Sequence, residues 1–360
     1  MNSKSFLILI LIYFNCHIDK KLDKPPAKTS IQCTFKEYGI ENLCEDEKAY
    51  LDWAKSQKQF TSLDQLSRET LHNITQETLD VDKAAALFYY RSIEEPKNKK
   101  FISYLDQKQK ELLKKLPDYT KKNILLAFVP GMFYKDNPQV GADGKSFRVI
   151  ATQLGIKETL IPVEQTGTGE ENAKIICKFI EDENESNGII IASVSKGGSD
   201  FKLAMKQCGN ETYFKKVKGW YNIGGVNKGT EVINGVQDYW RYRFESKMYF
   251  WWKNYKYDGF LSMRYIKNGP LDFDLTIPKD FLVINIIGVP QFRFVTERAK
   301  PFYEYLIRFG PSDGMTLLGD SYIKEALTYP SWRNDHYFQW PIYHERMQSI
   351  LVYMVETQFK

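Results

Sequence analysis

The 360-residue sequence predicts an α/β fold: a mostly parallel sheet flanked by helices, with an aromatic-rich insertion and an N-terminal helical segment. Three observations predict it. Between residues 121 and 225, short apolar runs of strand character alternate with helical stretches, the pattern of a parallel sheet covered on both faces. One of these runs ends in Ser193-Val194-Ser195-Lys196-Gly197, with small residues two positions before and two after a serine, and a helical pattern follows. A strand turns that sharply into a helix only where the flanking residues carry little Cβ bulk. A further apolar strand at 281–288 and a helical C-terminus at 343–355 extend the pattern.

A hydrophobic fraction of 43% allows a sizeable core. The net charge of +5 is spread along the chain, and no basic patch interleaved with aromatics marks a nucleic-acid module, which argues against a nucleic-acid partner. Lys4 followed by the apolar residues 6–14 reads as a signal peptide over 1–15, too short to span a bilayer. The run stops at Asn15-Cys16 and resembles a bacterial lipoprotein signal. That resemblance implies lipidation of Cys16 as the mature N-terminus and a membrane-anchored place in the cell envelope. A conventional signal cut nearby, giving a periplasmic or secreted protein, is the alternative.

Residues 16–30 are charged and contain prolines, and read as a flexible tether. In an exported protein Cys33 and Cys44 can pair. Cys177 and Cys208 lie in apolar helical surroundings and read as buried thiols. No spacing fits a zinc site, and no metal or cofactor is expected. The segment 31–120 is helical, with stretches at 45–59, 62–71, 81–95 (ended by Pro96) and 101–116. Its apolar face is expected to pack on the domain that follows, and it carries no catalytic pattern; His72 is isolated there.

From 121 onward strands are predicted at 124–129, 159–163, 188–193 and 217–223, with helices at 146–154, 171–180 and up to Cys208. The glycines at 165–169 lack both the P-loop lysine and the dinucleotide fingerprint. In parallel sheets functional groups gather at the carboxyl ends of strands. Ser195 lies at such an end, and so does Pro130-Gly131-Met132.

On these residues the region 121–360 resembles the α/β-hydrolase superfamily, serine esterases and lipases among it, with Ser195 at the nucleophile elbow. The usual G-x-S-x-G has Ser193 in place of its first glycine. The resemblance implies an oxyanion hole made by the backbone N–H of Met132, or Gly131, and that of Lys196. It also places a cap in the insertion 226–280, where Trp240, Phe244, Met248, Trp251 and Tyr255 recur at helical spacing. These aromatics either line an apolar pocket for an acyl or aryl group, with a membrane surface as one place for it, or pack on the core.

The resemblance further requires an acid and then a histidine after the nucleophile. Of the 4 histidines only His336 and His344 follow Ser195. His336 falls in a polar loop over 331–339 and is preferred; His344 falls in the C-terminal helix. Asp313, before Gly314 in a tight turn, is the preferred acid, with Asp320 second and Asp335 third. The expected function is an exported serine hydrolase that cleaves carboxylic esters through a Ser-Asp-His triad and an acyl-enzyme, on a small-molecule or lipid ester. Amide or peptide cleavage is an alternative, and a catalytically silent surface binding protein is another.

Overall fold

The structure, a computed structural model, describes residues 43–339 and 343–360. The expected signal peptide, Cys16, the tether and Cys33 lie outside the described residues. Four helices open the described chain: α1 (Glu45–Ser56), α2 (Arg68–Thr78), α3 (Val81–Glu94) and α4 (Pro96–Leu112). The starts of the last three are marked by their sequence. Ser67 caps α2 by accepting Thr70 N–H at 3.2 Å, Asp80 caps α3 by accepting Asp82 N–H at 3.0 Å, and Pro96 opens α4.

There follow β1 (Ile124–Val129), α5 (Lys145–Gln153), β2 (Lys157–Leu160), α6 (Gly169–Asp182), β3 (Gly188–Val194), α7 (Lys196–Cys208) and β4 (Val217–Ile223). The insertion carries α8 (Glu231–Asp238), α9 (Trp240–Trp252) and α10 (Tyr257–Leu261). Then come β5 (Leu282–Val289), α11 (Lys300–Leu306), α12 (Leu318–Ser321), β6 (Leu327–Trp332) and α13 (Tyr343–Gln358).

The six strands form one sheet in the order β2-β1-β3-β4-β5-β6, and every pairing is parallel. Alternate side chains of the central strands feed two cores, because successive residues of a strand face opposite ways. Ala127, Ile189, Ile191, Trp220 and Val283 pack with α6 and α7 on one face. Leu126, Phe128, Ile190, Tyr221 and Ile284 pack with α5 and α13 on the other.

Three sequence expectations change. First, Ser331 and Trp332, expected in the polar loop 331–339, instead end a strand, β6. Its Pro330 argues against a central strand, but β6 is an edge strand, where a missing N–H costs little. Second, Cys177 of α6 and Cys208 of α7 are not free thiols; they form a disulfide with Cα atoms 6.1 Å apart. The two helices pack side by side, which a separation of 31 residues does not reveal. Cys44 is disulfide-bonded as well. Third, the aromatic stripe of α9 points to solvent: Trp240 is 73% and Trp251 76% exposed, with Phe244 and Met248 also exposed. The face that packs is Ser246, Tyr249 and Phe250. Both faces of α9 are aromatic, so periodicity alone does not say which lies inside.

Candidate active site

Ser195 stands where β3 turns into α7, with φ +53° and ψ −121°. Such a backbone costs roughly 1–3 kcal/mol for an L residue and persists only where its surroundings impose it. Here Ser195 N–H donates to the Ile223 carbonyl at 3.1 Å, and its own carbonyl accepts the N–H groups of Gly198 (2.9 Å) and Val226 (3.1 Å). A Cβ on Gly197 would lie 2.2 Å from the Val129 carbonyl oxygen and 2.8 Å from that of Pro130, so the end of β1 presses on the turn.

Ser193 fills the upstream position without strain in its polar group. Its buried hydroxyl accepts from Trp220 Nε1 at 2.8 Å and donates to Asn222 Oδ1 at 3.1 Å. Asn222 Nδ2 donates in turn to Asn227 Oδ1 and Asn285 Oδ1, both at 3.0 Å, and Asn227 and Asn285 both donate to the Ser321 carbonyl. This buried amide chain underpins the elbow from β4 and β5. Sequence reasoning missed it, since nothing in the spacing of the three asparagines marks it.

His336 comes from the loop after β6. Its Nε2 lies 2.9 Å from Ser195 Oγ and its Nδ1 lies 2.8 Å from Asp313 Oδ2. Asp313 is fixed by its own turn: Oδ1 accepts the N–H groups of Met315 (2.8 Å) and Thr316 (2.7 Å), and Gly314 takes φ +95°. His336 N–H also donates to the Asp313 carbonyl at 2.7 Å. Burial pushes the imidazole pKa down, but the charge and hydrogen bond of Asp313 outweigh it, and the net position is above the ordinary value.

The other two acids meet other partners. Asp320 pairs with Arg68 of α2 at 3.2 Å, and burial pushes its carboxyl up to about 7 against the pull of that arginine. Asp335 accepts Thr296 N–H at 2.8 Å and Tyr337 N–H at 2.9 Å, which shapes the His336 loop. His344 lies in α13.

Of the expected backbone donors, Gly131 is already engaged: its N–H donates to the Ala142 carbonyl at 2.8 Å. Met132 follows it, on a loop so near the elbow that a Gly131 Cβ would be 3.4 Å from Ser195 Cβ. Lys196 is the first residue of α7, where N–H groups have no partner within the helix. Its side chain is buried, with Nζ 2.7 Å from both Asp200 oxygens, and Asn172 of α6 donates to the same carboxylate at 2.7 Å. The i, i+4 spacing of Lys196 and Asp200 is the signal that could have found this pair. Met132 joins an apolar group made by Val226, Ile233 and Met263 with Phe260 and Leu261, contributed by the insertion. The preceding loop also meets α9, where the Phe133 and Phe250 rings are 5.8 Å apart.

The sequence matches no protein-family model and no curated protein. The structure is similar to solved structures. A metagenomic carboxyl esterase aligns with a TM-score of 0.52 at 15% identity, over 65% of this chain and 76% of that one. The Bacillus licheniformis lipase BlEst2 aligns more loosely, both at 15% identity: its mature form with a TM-score of 0.47 over 67% of this chain and 92% of that one, and its propeptide form with 0.48 over 68% and 52%. The chain has the α/β-hydrolase fold.

Proposed function

We propose that this protein is a serine hydrolase that cleaves carboxylic esters, with Ser195 as nucleophile, His336 as general base and Asp313 as the acid that orients it. The observation that carries the reading is the continuous line of hydrogen bonds from Ser195 Oγ through His336 to Asp313, at 2.9 and 2.8 Å. A serine hydroxyl attacks only when a neutral imidazole takes its proton. His336 Nε2 accepts that proton as Oγ bonds to the ester carbonyl carbon, and Asp313 stabilises the imidazolium. The N–H groups of Met132 and Lys196 hold the oxyanion, each worth about 10²–10³ in rate. His336 then returns the proton to the departing alcohol, leaving an acyl-Ser195, and the same groups activate water to release the acid.

The apolar group around Met132 supports a hydrophobic acyl or alcohol part. The exposed Trp240, Phe244, Trp251 and Trp252 of α9 suit an enzyme that works at a lipid surface. Export, with an anchor on Cys16, belongs to the same proposal.

A nitrophenyl ester series of rising acyl length, run beside the matching anilides, tests the substrate class. Esters are expected to be cleaved at least about 100-fold faster than anilides, with kcat/KM rising by roughly tenfold or more from acetate to mid-length chains, as a few buried methylenes at about 0.8 kcal/mol each would give. Faster anilide cleavage would replace the ester reading with an amidase one.

A further inference from the structure

The N-terminal helices have no part in the proposed chemistry, yet one of their side chains is built into the loop that carries His336. Glu47 of α1 is fully buried, and its carboxylate accepts from Arg333 Nε at 2.6 Å, from Arg333 Nη2, from Trp332 Nε1 at 2.8 Å and from the Cys44 N–H at 2.7 Å. Arg333 and Trp332 are 286 and 285 residues away in sequence. Arg333 has φ +65°, a left-handed backbone that a non-glycine residue holds only under constraint. Three residues further on is His336. The loop between is seated closely on the end of β5: a Cβ on Gly288 would lie 2.7 Å from the Asn334 carbonyl oxygen.

A buried carboxylate–guanidinium pair is a poor device for stability alone, because removing both ions from water costs about what their attraction returns. A two-point fork does fix one orientation, which a single point charge does not. We infer that Glu47 is a positioning residue for His336: its fork on Arg333 holds the strained start of the histidine loop, and so sets the imidazole against Ser195 and Asp313. The inference rests on the triad reading above. It gives the N-terminal segment a task, to deliver a carboxylate to a loop that the hydrolase domain leaves incomplete.

The test compares Glu47→Gln, Arg333→Lys and Ile74→Val in the full chain. Ile74 is buried in the same N-terminal cluster and belongs to none of these hydrogen bonds. Glu47→Gln is expected to lower kcat on a nitrophenyl ester about 10- to 100-fold, the cost of a misplacement near 1 Å, with KM within about twofold. The His336 titration, followed by imidazole NMR, is expected to move down toward the ordinary histidine value as the grip of Asp313 loosens. Arg333→Lys keeps the charge, loses the fork and carries the same expectation if Glu47→Gln does not fold. Ile74→Val is expected to lower thermal stability while leaving kcat and the titration unchanged. An unchanged kcat and His336 titration in both fork variants, or an equal loss in Ile74→Val, overturns the inference. Because the titration needs no turnover, a wild type without esterase activity but with a shifted His336 in Glu47→Gln would refute the hydrolase reading and leave the clamp standing.

Discussion

Asp313→Asn is expected to lower kcat/KM for esters by about 10³–10⁴ while leaving the fold intact. The reason lies in the turn around it. Asp313 Oδ1 accepts two backbone N–H groups, from Met315 and Thr316, so an asparagine placed there keeps its oxygen on that side. Its amide N–H₂ then faces His336 Nδ1, where an acceptor stood at 2.8 Å. Facing a donor, Nδ1 gives up its hydrogen, and the proton of the neutral ring moves to Nε2. That nitrogen is 2.9 Å from Ser195 Oγ and can no longer take its proton.

The pH dependence carries the same signature. The base must be neutral, so activity falls as pH drops through the pKa of His336, and in the wild type this acid limb is expected above the ordinary value of about 6.5. Without the Asp313 charge, burial is opposed only by the weaker pull of Asp335, and the residual activity of the variant is expected to persist to lower pH. Asp320→Asn, which touches Arg68 and not the imidazole, is expected to stay within about threefold of wild type. If Asp320→Asn showed the large loss and Asp313→Asn did not, the acid would be misassigned.

Gly197→Ala is expected to damage the elbow itself. The added methyl would sit 2.2 Å from the Val129 carbonyl oxygen, an atom of rigid backbone at the end of a buried central strand. Either β1 or the first turn of α7 must move. Overpacking of this kind costs about 1–3 kcal/mol, and the movement reaches Pro130-Gly131-Met132 and Lys196 together. Ester turnover is therefore expected to fall at least about 100-fold even in the folded fraction. Thermal melting with single-turnover kinetics measures both, and wild-type values in each would refute the close contact.

The central strands were legible because they are buried on both faces and so read as unbroken apolar runs; β1 and β4 span the residues expected, 124–129 and 217–223. The elbow was legible because its steric demand falls on residues adjacent in sequence, Ser193 and Gly197. Chain order and loop context narrowed the candidates to Asp313 and His336 among few choices and 4 histidines, and the structure brings those two within hydrogen-bonding distance. What stayed hidden depends on contacts between distant residues. The edge strand β6 went unassigned, since edge position is a property of the assembled sheet. The Cys177–Cys208 disulfide depends on two helices lying side by side. The outward turn of Trp240 and Trp251 depends on which of two aromatic faces finds Phe133. Glu47 reads in the sequence as an ordinary first-turn acid of a surface helix, and only the folded chain brings it to Arg333.

The central claim is that Ser195 is a nucleophile activated by His336. Reaction with a fluorophosphonate tests it most directly, because the reagent bonds covalently to a serine only where a base removes its proton and an oxyanion site accepts the phosphoryl oxygen. The account predicts a single adduct, found by peptide mass spectrometry on Ser195, formed rapidly by the wild type, lost in Ser195→Ala and slowed by orders of magnitude in His336→Ala. A folded wild type that gives no adduct, or one that labels equally in Ser195→Ala, would contradict it.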